Sequence, residues 1–416
     1  MIELEEGRHP AWRQVSPAAA ARVLRLLLLC ALLAATTWLA FQNLSAWLDY
    51  GRNYLARTDF ALYYVFARTG LESGWQSLYD LSAQRLAYRQ IPGLWWFPFN
   101  YTPPMAWIAA PFTLLSPSTA YWIWCAGVAA AFAGAWWLAA PRTPLMKAVC
   151  LTAGLAPYLS LLGLELGQFI PVSLLAVALS VWLIRRERPV LAGLALLPID
   201  VHPQGFFLVP IALLVFGARR TFYTWALASA LLVLISAASV GEAGVLGYAH
   251  RLVQAERSPL EYYVALPVDF PYMVPGRLLK LGAMAAVSVC SLFVAWQQRG
   301  RGLEVAIAAS LVGSLLVTSF IHLDDLMALI LAGWLCLRAR LPAPYAWLMI
   351  GGLVVAVSLD FDHAASRGWA MVAFELVWLG MLAGLPIVER FRRRTSTPST
   401  LDGGTLEAGE ASLAPT

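Results

Sequence analysis

Charge is scarce in this chain. Only 13% of its 416 residues are Asp, Glu, Lys or Arg, against roughly 25% in a soluble globular protein. With 60% hydrophobic residues, too little polar surface remains to coat a fold in water, so lipid must be part of the solvent. Cysteine is also sparse. The five present, Cys30, Cys125, Cys150, Cys290 and Cys336, all lie in apolar stretches, and none forms a C-x-x-C pair. They read as small buried hydrophobes, with no disulfide framework and no zinc site. The net charge of +5 is spread along the chain, without a basic run interleaved with aromatics. That excludes nucleic acid as an expected partner. The first apolar run, starting near Arg25, lacks a small-residue cleavage site and reads as an uncleaved span. No internal repeat is visible, which weighs against transporter folds built from inverted repeats.

What the chain does have is a series of apolar runs. They fall near 22–41, 103–116, 118–140, 147–163, 168–184, 190–200, 204–216, 222–240, 277–297, 303–320, 325–338, 343–360 and 369–388. This pattern predicts an all-α, polytopic integral membrane protein of about twelve transmembrane or half-membrane helices. The expected parts are a cytoplasmic N-terminal tail over 1–21, a membrane domain over 22–388 and a disordered cytoplasmic tail over 389–416. Two long loops, 42–102 and 241–276, are placed outside. Eighteen Trp and fifteen Tyr suit the interfaces of such a protein.

Basic residues set the expected orientation. Short hydrophilic pieces carry Arg142 and Lys147, Arg185 to Arg188, Arg219 and Arg220, Arg299 and Arg301, Arg338 and Arg340, and Arg390 to Arg394. Putting them all in the cytoplasm satisfies the positive-inside rule. Segment 103–116, with Pro103, Pro104 and Pro111, must then be a re-entrant or juxtamembrane helix. Segments 190–200 and 204–216 become a broken hairpin whose tip, from Pro198 to Pro203, points outward.

Polar residues cluster on that outer side. Thr58-Asp59 looks like a helix start, followed by a stripe of Tyr63, Phe66 and Gly70 expected to lie on the membrane surface. Asp59 is either the cap of that helix or a carboxylate at the mouth of a membrane cavity, placed as a general base. Leu78-Tyr79-Asp80 and the run Phe99 to Pro104, with Tyr101, suit either a lipid-facing groove or interfacial anchoring. Glu165 and Gln168 sit together between two spans, where polar groups default to a functional reading. Asp200 and His202 at the hairpin tip, and His322, Asp324 and Asp325 between two later spans, have metal-ligand chemistry, although plain helix-end turns would use the same residues. A required metal is not expected, and a divalent ion is not excluded.

The order of these landmarks resembles glycosyltransferase family 87, a group of class C enzymes that use polyprenyl-phosphate sugars and include actinobacterial phosphatidylinositol-mannoside mannosyltransferases. The matching pieces are Asp59-Phe60 with Tyr63-Tyr64 and Ala67-Arg68, Leu78-Tyr79-Asp80, Phe99 to Pro104, Pro111, Gly167-Gln168, Leu191-Ala192-Gly193, and His322 with Asp325. This chain has His202-Pro203 where the family often has Lys-Pro, and Pro171 where an Asn is usual. The resemblance implies a large first outer loop bearing the catalytic Asp, here Asp59. It implies an inverting transfer of mannose or another sugar from a polyprenyl-phosphate donor to a lipid or polysaccharide acceptor. His202, His322, and Arg251 or Arg257 from the second loop would stabilise the phosphate, with Tyr63, Tyr101, Glu165, Gln168 and Asp325 lining the substrates. No cofactor is required by that reaction, and the enzyme is expected as a monomer in a bacterial inner membrane, with its site facing outward. A lipid or solute transporter, or an inactive relative that only binds lipid-linked sugar, is the alternative.

The topology is testable. An impermeant thiol reagent applied to intact cells should label a cysteine placed at Ser77 and spare one placed at Ser396. Labelling of both, or of Ser396 alone, overturns the orientation.

Overall fold

Backbone polar groups in lipid must be satisfied within their own segment, and the chain meets this with helices alone. The computed structural model describes residues 16–91, 93–94, 97–256, 268–319, 321–360 and 364–396, and no strand occurs among them. In chain order the helices are α1 (Pro17–Asn53), α2 (Asp59–Ser73), α3 (Leu81–Tyr88), α4 (Pro103–Ala109), α5 (Pro117–Ala139), α6 (Pro144–Leu155), α7 (Tyr158–Glu165), α8 (Ile170–Arg185) and α9 (Pro189–Ala195). They continue with α10 (Leu208–Phe216), α11 (Arg219–Glu256), α12 (Phe270–Met273), α13 (Arg277–Gln297), α14 (Leu303–Val317), α15 (Met327–Arg338), α16 (Ala343–Ser358) and α17 (Ala364–Ser396).

Proline in the first turn starts many of these, including α1, α4, α5, α6, α8 and α9. Its missing N–H is no loss there and its fixed φ suits the helix. Among the described residues, five helices are long and apolar enough to cross a membrane: Pro17–Asn53, Pro117–Ala139, Arg219–Gln254, Arg277–Gln297 and Ser366–Ile387. The expected run 147–163 is instead the pair α6 and α7, bent by 71°. Several other apolar runs fold as helices of 10–17 residues, so the expected dozen is not reached by full crossings. The last helix continues to Ser396, past the expected start of the tail at 389. The hairpin over 190–216 is broken, with a 3-10 turn over Leu197–Asp200 between α9 and α10.

The described parts of the segments 42–102 and 241–276 are largely helical. The helix α11 changes direction at Gly241, whose φ of 65° lies where glycine costs least. Beyond that point it lies over the first loop, with Gly247 against Tyr79 and the rings of Tyr79 and Tyr248 at 5.1 Å. The expectation that α2 lies on the membrane surface is corrected. Phe60, Tyr63, Tyr64, Phe66, Ala67 and Gly70 are all buried. A Cβ on Gly70 would meet the Trp75 ring at 2.3 Å, so α2 is packed inside the protein.

Small residues hold the core together. Every residue of α14 is buried, and Ser291 Oγ of α13 donates to the carbonyl of Ala309 at 2.9 Å. Such close backbone approach is how helices associate where lipid offers no hydrophobic driving force. At the start of α14, buried Glu304 accepts from Arg185 and lies 3.9 Å from Arg338. Backbone meets backbone closely between α9 and α11. A Cβ on Gly193 would meet the Thr221 carbonyl at 2.6 Å and the Trp225 nitrogen at 2.9 Å.

Backbone atoms cannot step aside as a flexible side chain can. Gly193→Ala should therefore destabilise the protein by roughly 1–3 kcal/mol, the usual cost of overpacking. Gly351→Ala, where nothing lies within 4 Å, serves as the control. Thermal unfolding in detergent should show a lower midpoint for the first variant only; equal midpoints would mean that the crossing has slack.

Candidate active site

The site begins where α1 ends. A 3-10 turn over Leu55–Arg57 leads to Thr58, whose hydroxyl accepts from the Ala61 N–H at 3.2 Å. Thr58 is thus the N-cap of α2, and Asp59 occupies the first helical position. The carboxylate is spared the capping role that was one of its two expected uses. Its Oδ2 accepts a hydrogen bond from Gln168 Nε2.

Gln168 is held rigidly. Its N–H donates to the Gly163 carbonyl at 2.9 Å, and the preceding Leu166 carbonyl accepts from Phe60 N–H at 3.0 Å. The Trp124 indole donates to the Gly167 carbonyl at 2.7 Å, and the Tyr121 hydroxyl to the Glu165 carbonyl at 2.8 Å. Gly167 has φ 69°, and a Cβ there would sit 3.0 Å from Phe60 Cβ; the turn needs glycine for both reasons. Gln168 Oε1 in turn accepts from the Tyr63 hydroxyl at 3.0 Å. A hydroxyl has one proton, so the Tyr101 hydroxyl, 3.2 Å from that of Tyr63, donates to it. Tyr79 fixes Tyr101 by donating to its carbonyl at 2.8 Å.

A second group closes the other side. The ring of Tyr101 stacks on His202, with centroids 6.2 Å apart. His202 Nε2 lies 2.8 Å from Asp325 Oδ1, and the His322 N–H donates to Asp325 Oδ2 at 2.9 Å. Asp324 is buried beside them. His202 Nδ1 is buried and has no hydrogen-bond partner. Burial alone would lower the His202 pKa, but the hydrogen bond and charge of Asp325, then Asp324 and Asp59, outweigh it and raise it. Burial pushes Asp59 up to about 6, opposed by the charges of His322 and His202 and by the Gln168 hydrogen bond. Asp324 is raised by burial and by its neighbour Asp325. The outcome is a carboxylate raised toward the neutral range beside an imidazole whose cationic form its acidic neighbours favour.

The remaining sequence candidates are placed as follows. Glu165 lends its backbone carbonyl to Tyr121, and the hydrogen bonds of Asp59, Tyr63 and Gln168 do not reach its carboxylate. Arg251 stands one turn beyond Tyr248 on α11, half-buried, with its Nε unpartnered. Arg257 lies outside the described residues. Asp200 does not join His202: it accepts from Trp225 Nε1 at 3.2 Å and Ser229 Oγ at 2.5 Å, which fastens the hairpin tip to α11. Among the described residues no group of three or more His, Cys, Asp or Glu side chains is placed to hold a metal ion. Sequence reasoning passed over Tyr121 and Trp124. Their only signal was an i, i+3 aromatic pair at the start of a span, which reads equally as an interfacial anchor.

No curated protein and no solved structure matches the chain. The model of glycosyltransferase family 87 matches residues 99–322, more than half of the chain and the part that carries Tyr101, Gln168, His202 and His322. The ordered landmarks and this match agree, and the chain belongs to glycosyltransferase family 87.

Proposed function

We propose that this glycosyltransferase moves a sugar, mannose or another hexose or pentose, from a polyprenyl-phosphate donor to a lipid or polysaccharide acceptor. The reaction takes place on the outer face of a bacterial inner membrane. The observation that carries the reading is the convergence of Asp59, freed from capping by Thr58, with Gln168, Tyr63, Tyr101, His202 and Asp325.

Asp59 takes the proton of an acceptor hydroxyl. The acceptor oxygen forms a bond to the anomeric carbon as the carbon–oxygen bond to phosphate breaks on the opposite face, inverting the configuration. The phosphate leaves with the electron pair and is already a stable anion, so a strong general acid is unnecessary. It is met by preorganised positive groups. His202 offers its unpartnered Nδ1, and Arg251 its unpartnered Nε. Gln168 holds one carboxylate oxygen of Asp59 and leaves the other for the acceptor.

Two expectations follow. Asp59→Asn keeps the shape but loses the base, so turnover should fall roughly 10²–10⁴-fold with little change in thermal stability, since Thr58 does the capping. The wild-type kcat/KM should fall as pH drops through about 6, where Asp59 takes up its proton. Near-normal turnover of the Asn variant with a labelled polyprenyl-phosphate sugar would remove Asp59 from the chemistry.

The hydrogen bond and charge of Asp325, with Asp324 and Asp59, raise the His202 pKa against the effect of burial, so the ring keeps its proton to a higher pH than a free imidazole does. The donor KM should then rise as pH climbs past that point and the imidazole loses its charge. His202→Lys, which restores the residue usual in the family, should stay active and flatten the dependence, whereas His202→Ala should weaken donor binding at every pH. Steady-state kinetics over about pH 5.5–8.5 bracket the histidine range. A donor KM independent of pH in the wild type would end the phosphate-ligand role.

A further inference from the structure

Four helices lead away from the candidate active site to a second feature. The helices α5, α8 and α15 start near the site, at Tyr121, Gln168 and Asp325, and end at Ala139, Arg185 and Arg338. The helix α14 runs the other way, from Glu304 back to Val317. At 1.5 Å per residue, the 23 residues of α5 separate the two ends by about 35 Å. At the far end lies a cavity of about 1320 Å³ lined by Arg142, Arg185, Arg299, Arg301, Arg338 and Arg340, with Glu304 as the only acidic residue of the lining among the described residues. Glu304 is already engaged by Arg185 and Arg338. Arg142, Arg299, Arg301 and Arg340 are exposed to the cavity or its rim.

Directly against this cavity is an apolar slot, enclosed by α1, α6, α15, α16 and α17 and lined by Val149, Cys150, Ala153, Gly333 and Trp334, among others. Met146 and Leu337 line both spaces, so the slot adjoins the arginine cavity. Arg340, at the junction after α15, has φ 55°. A non-glycine residue in the left-handed region is uncommon and marks a backbone held there by its surroundings.

Arginines at one end of a membrane bundle follow from orientation alone. Orientation does not require them to line one cavity, nor that cavity to adjoin a slot with an apolar lining. Arginine guanidinium groups match the planar fork geometry of phosphate oxygens, and the slot takes hydrocarbon. We propose that this end of the bundle is a binding site for an anionic phospholipid, with its phosphate among Arg142, Arg301 and Arg340 and an acyl chain in the slot over Met146 and Leu337. The site is separate from the one assigned to catalysis and does not depend on that assignment.

Native mass spectrometry of the full chain, released from detergent with added lipid, tests this. Phosphatidylglycerol should be retained in preference to phosphatidylcholine with the same acyl chains. The combined variant Arg142→Gln, Arg301→Gln, Arg340→Gln should weaken phosphatidylglycerol retention at least about tenfold, given the usual contribution of each basic residue to anionic lipid binding. Glycerol 3-phosphate should not displace the lipid. Gly333→Leu, where a Cβ has its nearest contact at 3.7 Å, fills the slot without changing charge and should also reduce retention. Equal retention of the two lipids, full retention by the arginine variant, or displacement by glycerol 3-phosphate would each overturn the proposal. The last of these would make the cavity a site for a free phosphate. If Gly333→Leu does not fold, the arginine variant, altered only at exposed residues, decides alone.

Discussion

A polar side chain inside an apolar bundle must find its partners in the protein, because neither lipid nor bulk water supplies them. Gln168 meets that demand on both sides of its amide. Its Nε2 donates to Asp59 and its Oε1 accepts from the Tyr63 hydroxyl, so one side chain from the membrane bundle fixes two residues of α2. With the Phe60 to Leu166 backbone hydrogen bond alongside, this junction determines where α2 sits. From α2 follow the positions of Tyr101, His202 and Asp325. A half-satisfied network at this depth would be costlier than an apolar one, which explains why the turn over 163–168 is pinned by two indole and phenol donors as well as by its own backbone.

Much of this architecture was legible in the sequence. Prolines and arginines mark the ends of the short helices, and the break between α9 and α10 falls at the prolines of 198–203. The helix α2 was misplaced because a stripe at helical spacing looks the same whether it faces lipid or protein, and only Trp75 folding back over Gly70 distinguishes them. The apolar runs do not by themselves count the crossings. A run of 10–17 residues is hydrophobic enough for lipid and too short to traverse it, and hydropathy does not say whether two such runs stack end to end or bend, as α6 and α7 do.

The site shows a finer limit. Asp200 and His202 are two residues apart, yet one faces α11 and the other Asp325; a turn changes direction within a single peptide, so spacing cannot tell which side each takes. The contact between Asp59 and Gln168 joins residues more than a hundred positions apart, one of them before the stretch that matches the family. Pairing of that kind is a property of the assembled bundle. No local pattern encodes it.

Thr58 and Asp59 divide two tasks between neighbouring positions. The threonine satisfies the start of α2, and the aspartate is left to its contact with Gln168. An amide at position 59 would still offer an oxygen to Gln168, so the packing of α2 asks for an acceptor there and not for a charge. A requirement for the carboxylate itself, as opposed to an amide, is set by something other than the packing of α2.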